Sequence, residues 1–390
     1  MQPDSGHART FIAQLKLSNF RNYASAQLKL DPRPVVLFGD NGAGKTNLLE
    51  AVSLLGVGHG LRGRHLAELG RKDGSGGFAI SAHVGTRDGE VEIGTGFGAE
   101  AHGSADGRVI KIAGKERSPG ALADYVRIVW LIPAMDGLFT GSASERRRFL
   151  DRLVLTIDPK MRTPLARYDR AMRQRNRLFL MREGSPSLFE GLEEQMAEAG
   201  VAIAAARIDA VSRLAWLIDA SRAERGDGPF PWTELSAIGP LEHALLERPA
   251  TEIEDEYFRA LIENRERDRA AGRALDGPHL SDLSVFHGPN EAPAGTCSSG
   301  EQKALLIGLV LAHAELIQAL EGISPLILLD EIAAHLDQSR REGLFSEILR
   351  LKAQAWMTGT DPELFAPLGS KAQFVTVAEG KLFPQKKRLI

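Results

Sequence analysis

Val35-Val36-Leu37-Phe38-Gly39-Asp40-Asn41-Gly42-Ala43-Gly44-Lys45-Thr46 decides how this 390-residue chain is read. Four apolar residues predict a short buried strand, a glycine-rich turn follows, and an apolar-periodic helix is expected from Lys45 to Leu55. Gly39 to Thr46 satisfies G-x-x-x-x-G-K-[ST] at every fixed position. The glycines let the backbone curl until its N–H groups converge on one point, and the helix start adds the positive end of its dipole. Such a loop cradles phosphate. The expected contacts are Gly39, Asp40, Asn41, Gly42, Ala43, Gly44, Lys45, Thr46 and Asn47. Lys45 would reach the β- and γ-phosphates and act in catalysis, and the Thr46 hydroxyl would ligate Mg²⁺. A glycine turn can match this pattern by chance, but strand, loop and helix in succession are the context a phosphate loop requires.

Two further motifs lie far along the chain. Leu326-Ile327-Leu328-Leu329-Asp330-Glu331 is a buried-strand run closed by two acids. Acids at that end of an α/β strand sit where such sheets bind ligands. Asp330 is expected to hold Mg²⁺, and Glu331 to polarise the attacking water as the catalytic base. Ser298-Ser299-Gly300-Glu301-Gln302 opens the preceding helix. Ser299 reads as an N-cap, closing a capping box with Gln302. The same physics offers a second reading, in which Ser299, Gly300 and Gln302 bind the γ-phosphate held by a partner copy. Ala334-His335-Leu336-Asp337 follows the acids. This order of motifs resembles that of ABC-type ATPases, whose nucleotide, ATP with Mg²⁺, is sandwiched between two copies. Where these ATPases usually carry a switch histidine, Thr358-Gly359-Thr360 stands instead, and no Q-loop glutamine can be placed. Slow hydrolysis is the expected consequence.

The rest of the chain supports an α/β head with an antiparallel β subdomain and an inserted, mostly helical lobe. Phe11–Leu17 and Ala24–Leu30 read as strands, and the glycine-rich span 72–115 as antiparallel strands with turns. From Ser142 to about Arg273 the pattern is helical, and the α/β pattern resumes at Val285. The expected division is 1–140 for the first part of the ATPase domain, 141–275 for the lobe, and 276–390 for the rest.

Composition narrows the class. A formal charge of −3 gives no global argument for nucleic acid. A single cysteine, Cys297, rules out an internal disulfide framework or a multi-cysteine zinc site and suits a reducing cytoplasm. Met1–Thr10 is polar and does not read as a secretory signal. The most apolar helix candidate, Ala304–Leu320, is interrupted by His313, Glu315 and Gln318, so no membrane span is expected.

Several stretches together resemble the bacterial RecF recombination mediator family, whose ATPase head is SMC-like. They are Leu17-Ser18-Asn19-Phe20-Arg21-Asn22-Tyr23, Gly39 to Glu50, Gly141 to Asp151, Tyr168 to Leu178, Asp276-Gly277-Pro278-His279, and Ser298 to Lys303. The chain departs from the family's pattern at Leu280, where arginine is common, and at Asp330-Glu331, where paired aspartates are common. The resemblance implies a cytoplasmic, weak, DNA-stimulated ATPase. It would dimerise on ATP, bind double-stranded or gapped DNA, and work with RecR and RecO to load RecA at gaps in repair, replication and the SOS response.

A DNA surface has its own sequence signal. Glu145–Arg182 holds twelve Lys or Arg against four Asp or Glu. Arg167, Arg170, Arg173, Arg175, Arg177 and Arg182 are expected on an exposed helix face, contacting phosphates without sequence preference. A solvated face with ion pairs is the plainer reading. Arg146–Arg148 read equally well as DNA contacts or as braces of the signature lobe. A transporter nucleotide-binding subunit is the main alternative, but those are usually shorter between the motifs, and here 299 − 45 = 254 positions separate Lys45 from Ser299. A coiled-coil SMC or Rad50 protein needs a long arm, and a small-molecule P-loop kinase needs no Ser299-Gly300 motif.

Overall fold

The computed structural model describes residues 8–74, 76–98 and 107–385; residues 1–7, part of the polar start read above, lie outside them. The chain divides into two compact units. The first comprises residues 1–136, 227–230 and 303–390, and the second 137–226 and 231–302.

The first unit holds two sheets, each of six strands among the described residues. The antiparallel one has the order β3-β2-β5-β6-β7-β8. It is built from β2 (Phe11–Phe20), β3 (Tyr23–Lys29), β5 (Phe78–Thr86), β6 (Gly89–Phe97), β7 (Arg108–Ile112) and β8 (Lys115–Arg117). A register shift between Ile12 and Gln14 lets Ile12 and Leu15, three apart, both face inward. The second sheet runs β17-β16-β4-β15-β14-β9. Its strands are β4 (Val35–Phe38), β9 (Ile128–Leu131), β14 (Leu326–Leu329), β15 (Ala355–Gly359), β16 (Gln373–Ala378) and the antiparallel edge β17 (Lys381–Pro384). All neighbours except the β16–β17 pair are parallel. Covered on both faces, β14 and β15 are buried throughout, which is why they read as unbroken apolar runs. A two-residue parallel pair joins β1 (Ala8–Arg9) to β13 (Ile323–Ser324).

Helix α1 (Lys45–Ser53) buries Leu48, Leu49, Ala51 and Val52 in a core shared with Leu37, Leu328 and Trp356. The strand order puts β4, which feeds the glycine loop, next to β15, and β15 next to β14, which ends at the acids. Phosphate loop, Thr358 and acid pair therefore share one sheet edge.

The second unit is mostly helical. Its elements are α2 (Ala143–Ile157), α3 (Arg162–Met181), α4 (Pro186–Arg225), α5 (Pro240–Leu245), α6 (Ala250–Glu263) and α7 (Arg265–Ala271). Ser142 and Glu145 form the capping box that starts α2. Tyr168, Leu192, Met196, Ile203, Tyr257 and Leu261 form its core. A small sheet was not anticipated: β10 (Thr233–Ile238) pairs antiparallel with β11 (Asp282–His287), which also meets β12 (Ala292–Pro293). That pairing draws the chain up to Gln302 into this unit, beyond the expected boundary at 275.

The last long helices are α8 (Ser299–Glu321) and α9 (Gln338–Arg350). By length and mean hydropathy α8 passes as a membrane span, unlike the reading from its interrupting polar residues. Most of it is buried within the protein, Ala304–Ile307 completely, so it is a core helix by placement.

Candidate nucleotide site and signature loop

The phosphate loop is held open by two glycines that nothing else can replace. Gly39 has φ +150°, and a Cβ there would lie 2.1 Å from the carbonyl oxygen of Val377. Gly44 has φ +116°, and its Cβ would meet Asn22 Nδ2 at 2.5 Å. The turn after β2 buttresses the loop from behind. Asn22 Nδ2 donates to Ala43 O at 2.9 Å, and the Tyr23 hydroxyl to Gly44 O at 2.9 Å. Arg21 pairs with the buried Glu50 of α1 at 2.8 Å. Burial pushes the Tyr23 hydroxyl far above its usual range, so it remains a donor.

The loop faces an open cleft of about 190 Å³ lined by Asn41, Gly42, Gly44, Lys45, Thr46, Asn47, Arg62 and Glu331. Lys45 is 4% exposed and donates to the carbonyls of Gly39 at 2.7 Å and Asp40 at 2.9 Å. Burial lowers its pKa, and the carboxylates of Glu331, Asp330 and Asp40 oppose that shift. The Thr46 hydroxyl donates to Asp330 Oδ1 at 3.0 Å across 284 positions of sequence. Hydroxyl and carboxylate thus converge as hard oxygen donors of the kind Mg²⁺ takes. Burial raises the Asp330 pKa, while hydrogen bonds from Thr358 and Thr46 hold it down.

Glu331 adopts φ +53°, a left-handed conformation that costs a non-glycine residue energy. Its N–H donates to Thr358 Oγ1 at 2.8 Å, and the Thr358 hydroxyl donates to Asp330 Oδ1 at 2.7 Å. One fully buried hydroxyl therefore touches both acids. Thr360, also considered in place of a switch histidine, is exposed. Sequence reasoning missed Arg62, which lines the cleft, donates to Asn47 Oδ1 at 3.2 Å and lies 3.6 Å from Glu50. It stands in an aperiodic loop that offers no pattern to find it by.

The signature segment needs two corrections. The cap of α8 is Ser298, not Ser299: Glu301 N–H donates to Ser298 Oγ at 3.3 Å, and Glu301 Oε2 accepts from Ser298 N–H at 2.8 Å. Hydrogen bonds from Asn290 and from the hydroxyl and N–H of Ser298 bring the Glu301 carboxyl down to about 2. Ser299 is left exposed at the helix start, as is Gly300. Gln302, expected to face nucleotide, is 7% exposed and donates to Cys297 O at 2.8 Å, so it shapes the loop instead. Asp337, which ends the loop after the acids, caps α9 by accepting from Arg340 N–H at 2.9 Å.

The arginine helix α3 also departs from expectation. Arg175 is fully buried. It donates to Glu193 at 2.9 Å, to Asp268 at 2.6 Å and to Leu261 O at 2.8 Å, so it cannot meet DNA. Arg170, Arg173 and Arg177 are exposed and Arg167 is half-buried. Arg167 pairs with Glu198 at 2.6 Å, and Arg173 pairs with Asp169. Arg182 is exposed at the C-terminal end of α3. Arg146 grips Asp282 at 2.7 Å and Arg147 donates to Ser281 O at 2.7 Å, which favours bracing over DNA contact. His279 Nε2 donates to Ala274 O at 3.1 Å, and its Nδ1 meets the Tyr168 hydroxyl at 2.7 Å, a packed rather than catalytic setting.

Fold and motif order together define an ABC-type ATPase head. A family model described as the RecF/RecN/SMC N-terminal domain matches residues 11–379. The chain is 52% identical over 379 residues to the DNA replication and repair protein RecF of Mesorhizobium japonicum, covering 97% of this chain and 98% of that protein. It is 50% identical over 375 residues to the protein of the same name from Brucella suis, covering 96% of each. Its fold matches a solved structure of the recombination mediator protein RecF-ATPrS in the RecFOR pathway with a TM-score of 0.82 at 23% identity, covering 97% of this chain and 100% of that one. A Pyrococcus furiosus Smc head domain matches with a TM-score of 0.52 at 17% identity, covering 96% of each. The chain belongs to the RecF family of DNA replication and repair proteins.

Proposed function

We propose that this protein is an ATP-gated clamp on double-stranded or gapped DNA. The observation that carries the reading is the hydrogen bond from Thr46 to Asp330, made beside the cleft that Thr46 lines together with Lys45 and Glu331. Gly39 to Asn47 bind the phosphates of ATP, and Arg62 adds a cation at the cleft wall. Thr46 and Asp330 hold Mg²⁺, which supplies charge neutralisation on the phosphate oxygens. Glu331 orients and deprotonates the attacking water. Ser299 and Gly300 bind the γ-phosphate of a partner copy, so ATP favours the dimer by differential affinity. Hydrolysis removes the joining group and opens the clamp.

Turnover is expected to be slow and stimulated by DNA. The segment after β9, Ile132–Asp136, carries no glutamine, and a threonine stands where a switch histidine would. Arg170 and Arg177 contact DNA phosphates, and Arg167 and Arg173 exchange weak exposed ion pairs for them. The site of action is the cytoplasm, in recombinational repair, replication and the SOS response. RecR and RecO are the expected partners, with RecA loaded at gaps.

The test is fluorescence anisotropy of labelled duplex DNA with the Glu331→Gln protein, with and without ATP·Mg²⁺, across a salt series. Tight binding only with ATP is expected, and replacing Arg170 and Arg177 by alanine should flatten the salt slope by about 2 for each protomer that contacts the DNA. Binding indifferent to ATP would remove the clamp.

A further inference from the structure

The chain leaves the first unit after Asp136 and returns to it at Lys303. Those two residues form an ion pair: Lys303 Nζ lies 2.9 Å from Asp136 Oδ2. The lysine is nearly buried, its side chain 10% exposed, while the aspartate is 42% exposed. A lysine seldom gives up that much water unless its charge is matched. The pair therefore pins two crossing points of the chain to each other.

What lies on either side gives the pin a role. On one side, β9 runs parallel to β14, with Leu131 opposite Leu329, and the N–H of Asp330 donates to Leu131 O at 2.9 Å. A single 3₁₀ turn, Pro133–Met135, then leads directly to Asp136. That turn is closed by Met135 N–H donating to Ile132 O at 2.9 Å and Asp136 N–H donating to Pro133 O at 3.0 Å. On the other side, Lys303 lies one helical turn beyond Ser299 on α8. The first turn of α8 is itself tied by the Ser298–Glu301 box and by Gln302 holding Cys297 O. Within the first unit, backbone hydrogen bonds, a short stretch of chain and one ion pair thus link the backbone of Asp330 to Lys303, and Ser299 and Gly300 stand one turn earlier on the same helix.

We propose that Asp136 and Lys303 are a positioning pair that orders the first turn of α8, the turn that carries the signature residues. Neither residue touches nucleotide. Their task is to keep the first turn of α8 ordered, so that Ser299 and Gly300 can bind a γ-phosphate on a partner copy. This rests on the ATP-dependent dimer proposed above. Breaking the pair leaves each cleft able to bind ATP but loosens the helix start, so more protein is needed to form the dimer.

The experiment compares wild type, Asp136→Asn, Lys303→Met and the charge-swapped double variant Asp136→Lys with Lys303→Asp. For each, binding of a fluorescent ATP analogue and the thermal unfolding midpoint are measured, and the monomer–dimer equilibrium with ATPγS and Mg²⁺ is followed by sedimentation. The single variants should bind nucleotide as wild type does, yet need about tenfold more protein to dimerise. The swap should recover part of that loss, since the interaction and not either residue alone carries the effect. Asp136→Asn alters a partly exposed side chain and remains decisive where Lys303→Met or the swap fails to fold. Single variants that dimerise like wild type overturn the inference. So do singles and a folded swap that are equally impaired. A wild-type protein that stays monomeric with saturating nucleotide overturns the dimer reading itself, and this inference with it.

Discussion

The nucleotide cleft and the arginine helix α3 are both rich in chemistry, yet they answer to different rules. In the cleft, Gly39, Gly44, Lys45, Thr46 and Asp330 occupy places that backbone geometry fixes, because strand, loop and helix permit few arrangements. In α3 the arginines share one residue type and nearly one spacing, but their fates differ completely. Arg170 and Arg177 are exposed, whereas Arg175 sits at the centre of a buried network with Glu193 and Asp268. Chemistry carried by the main chain is legible locally. Chemistry carried by a long side chain is decided by whatever packs against it, and that partner lies 18 or 93 positions away.

The sharpest way to break that contrast is to remove Arg175. Arg175→Ala should destabilise the helical unit by about 3–5 kcal/mol, because it leaves Glu193 and Asp268 buried with less compensation. Arg265 still reaches Glu193 at 2.5 Å, which keeps the loss toward the lower end. Denaturant unfolding measures it. The protein that remains folded should bind duplex DNA as before. Unchanged stability with lost DNA affinity would return Arg175 to the surface and dissolve the distinction between the two regions.

The same distinction explains what was readable. Strand β4 and the run Leu326–Leu329 declared themselves through apolar runs beside glycines or acids. The helix α8 was placed within one residue of its end for the same reason. Strand β10 was missed because Thr233–Ile238 is a six-residue, half-exposed segment whose partner β11 is more than forty positions on. Arg62 was missed because a loop residue reaches the cleft by tertiary placement alone. The Asn22 and Tyr23 contacts with the glycine loop were unreadable locally, although their stretch had been singled out by resemblance.

Thr358 tests the cleft's side of the contrast. Its hydroxyl accepts from Glu331 N–H and donates to Asp330, so it holds a strained backbone and an acid together. Thr358→Val keeps the shape and removes both bonds. ATP hydrolysis should fall by about ten- to a hundredfold, with nucleotide affinity and dimerisation little changed. Thr358→Ser should restore most of the rate. Equal losses in binding and turnover would mean that the residue shapes the whole cleft and does not specifically position Glu331.

Ser298 and Ser299 bring both rules into adjacent positions, and they give the smallest effect with the finest resolution. From the sequence, Ser299 reads as the cap of α8. The structure gives the cap to Ser298 through its reciprocal bonds with Glu301. Ser298→Ala should therefore cost about 1 kcal/mol of stability, the usual worth of an N-cap. Ser299→Ala should leave stability near wild type, since an exposed hydroxyl outside the cap contributes little. Its effect should appear instead as weaker ATP-dependent dimerisation, read by sedimentation at fixed nucleotide. A stability loss at Ser299 with none at Ser298 would exchange the two roles and show that the start of α8 is set one residue later. If neither substitution affects the dimer, the exposed serine is only solvated, and the partner's γ-phosphate must be held by the helix start itself.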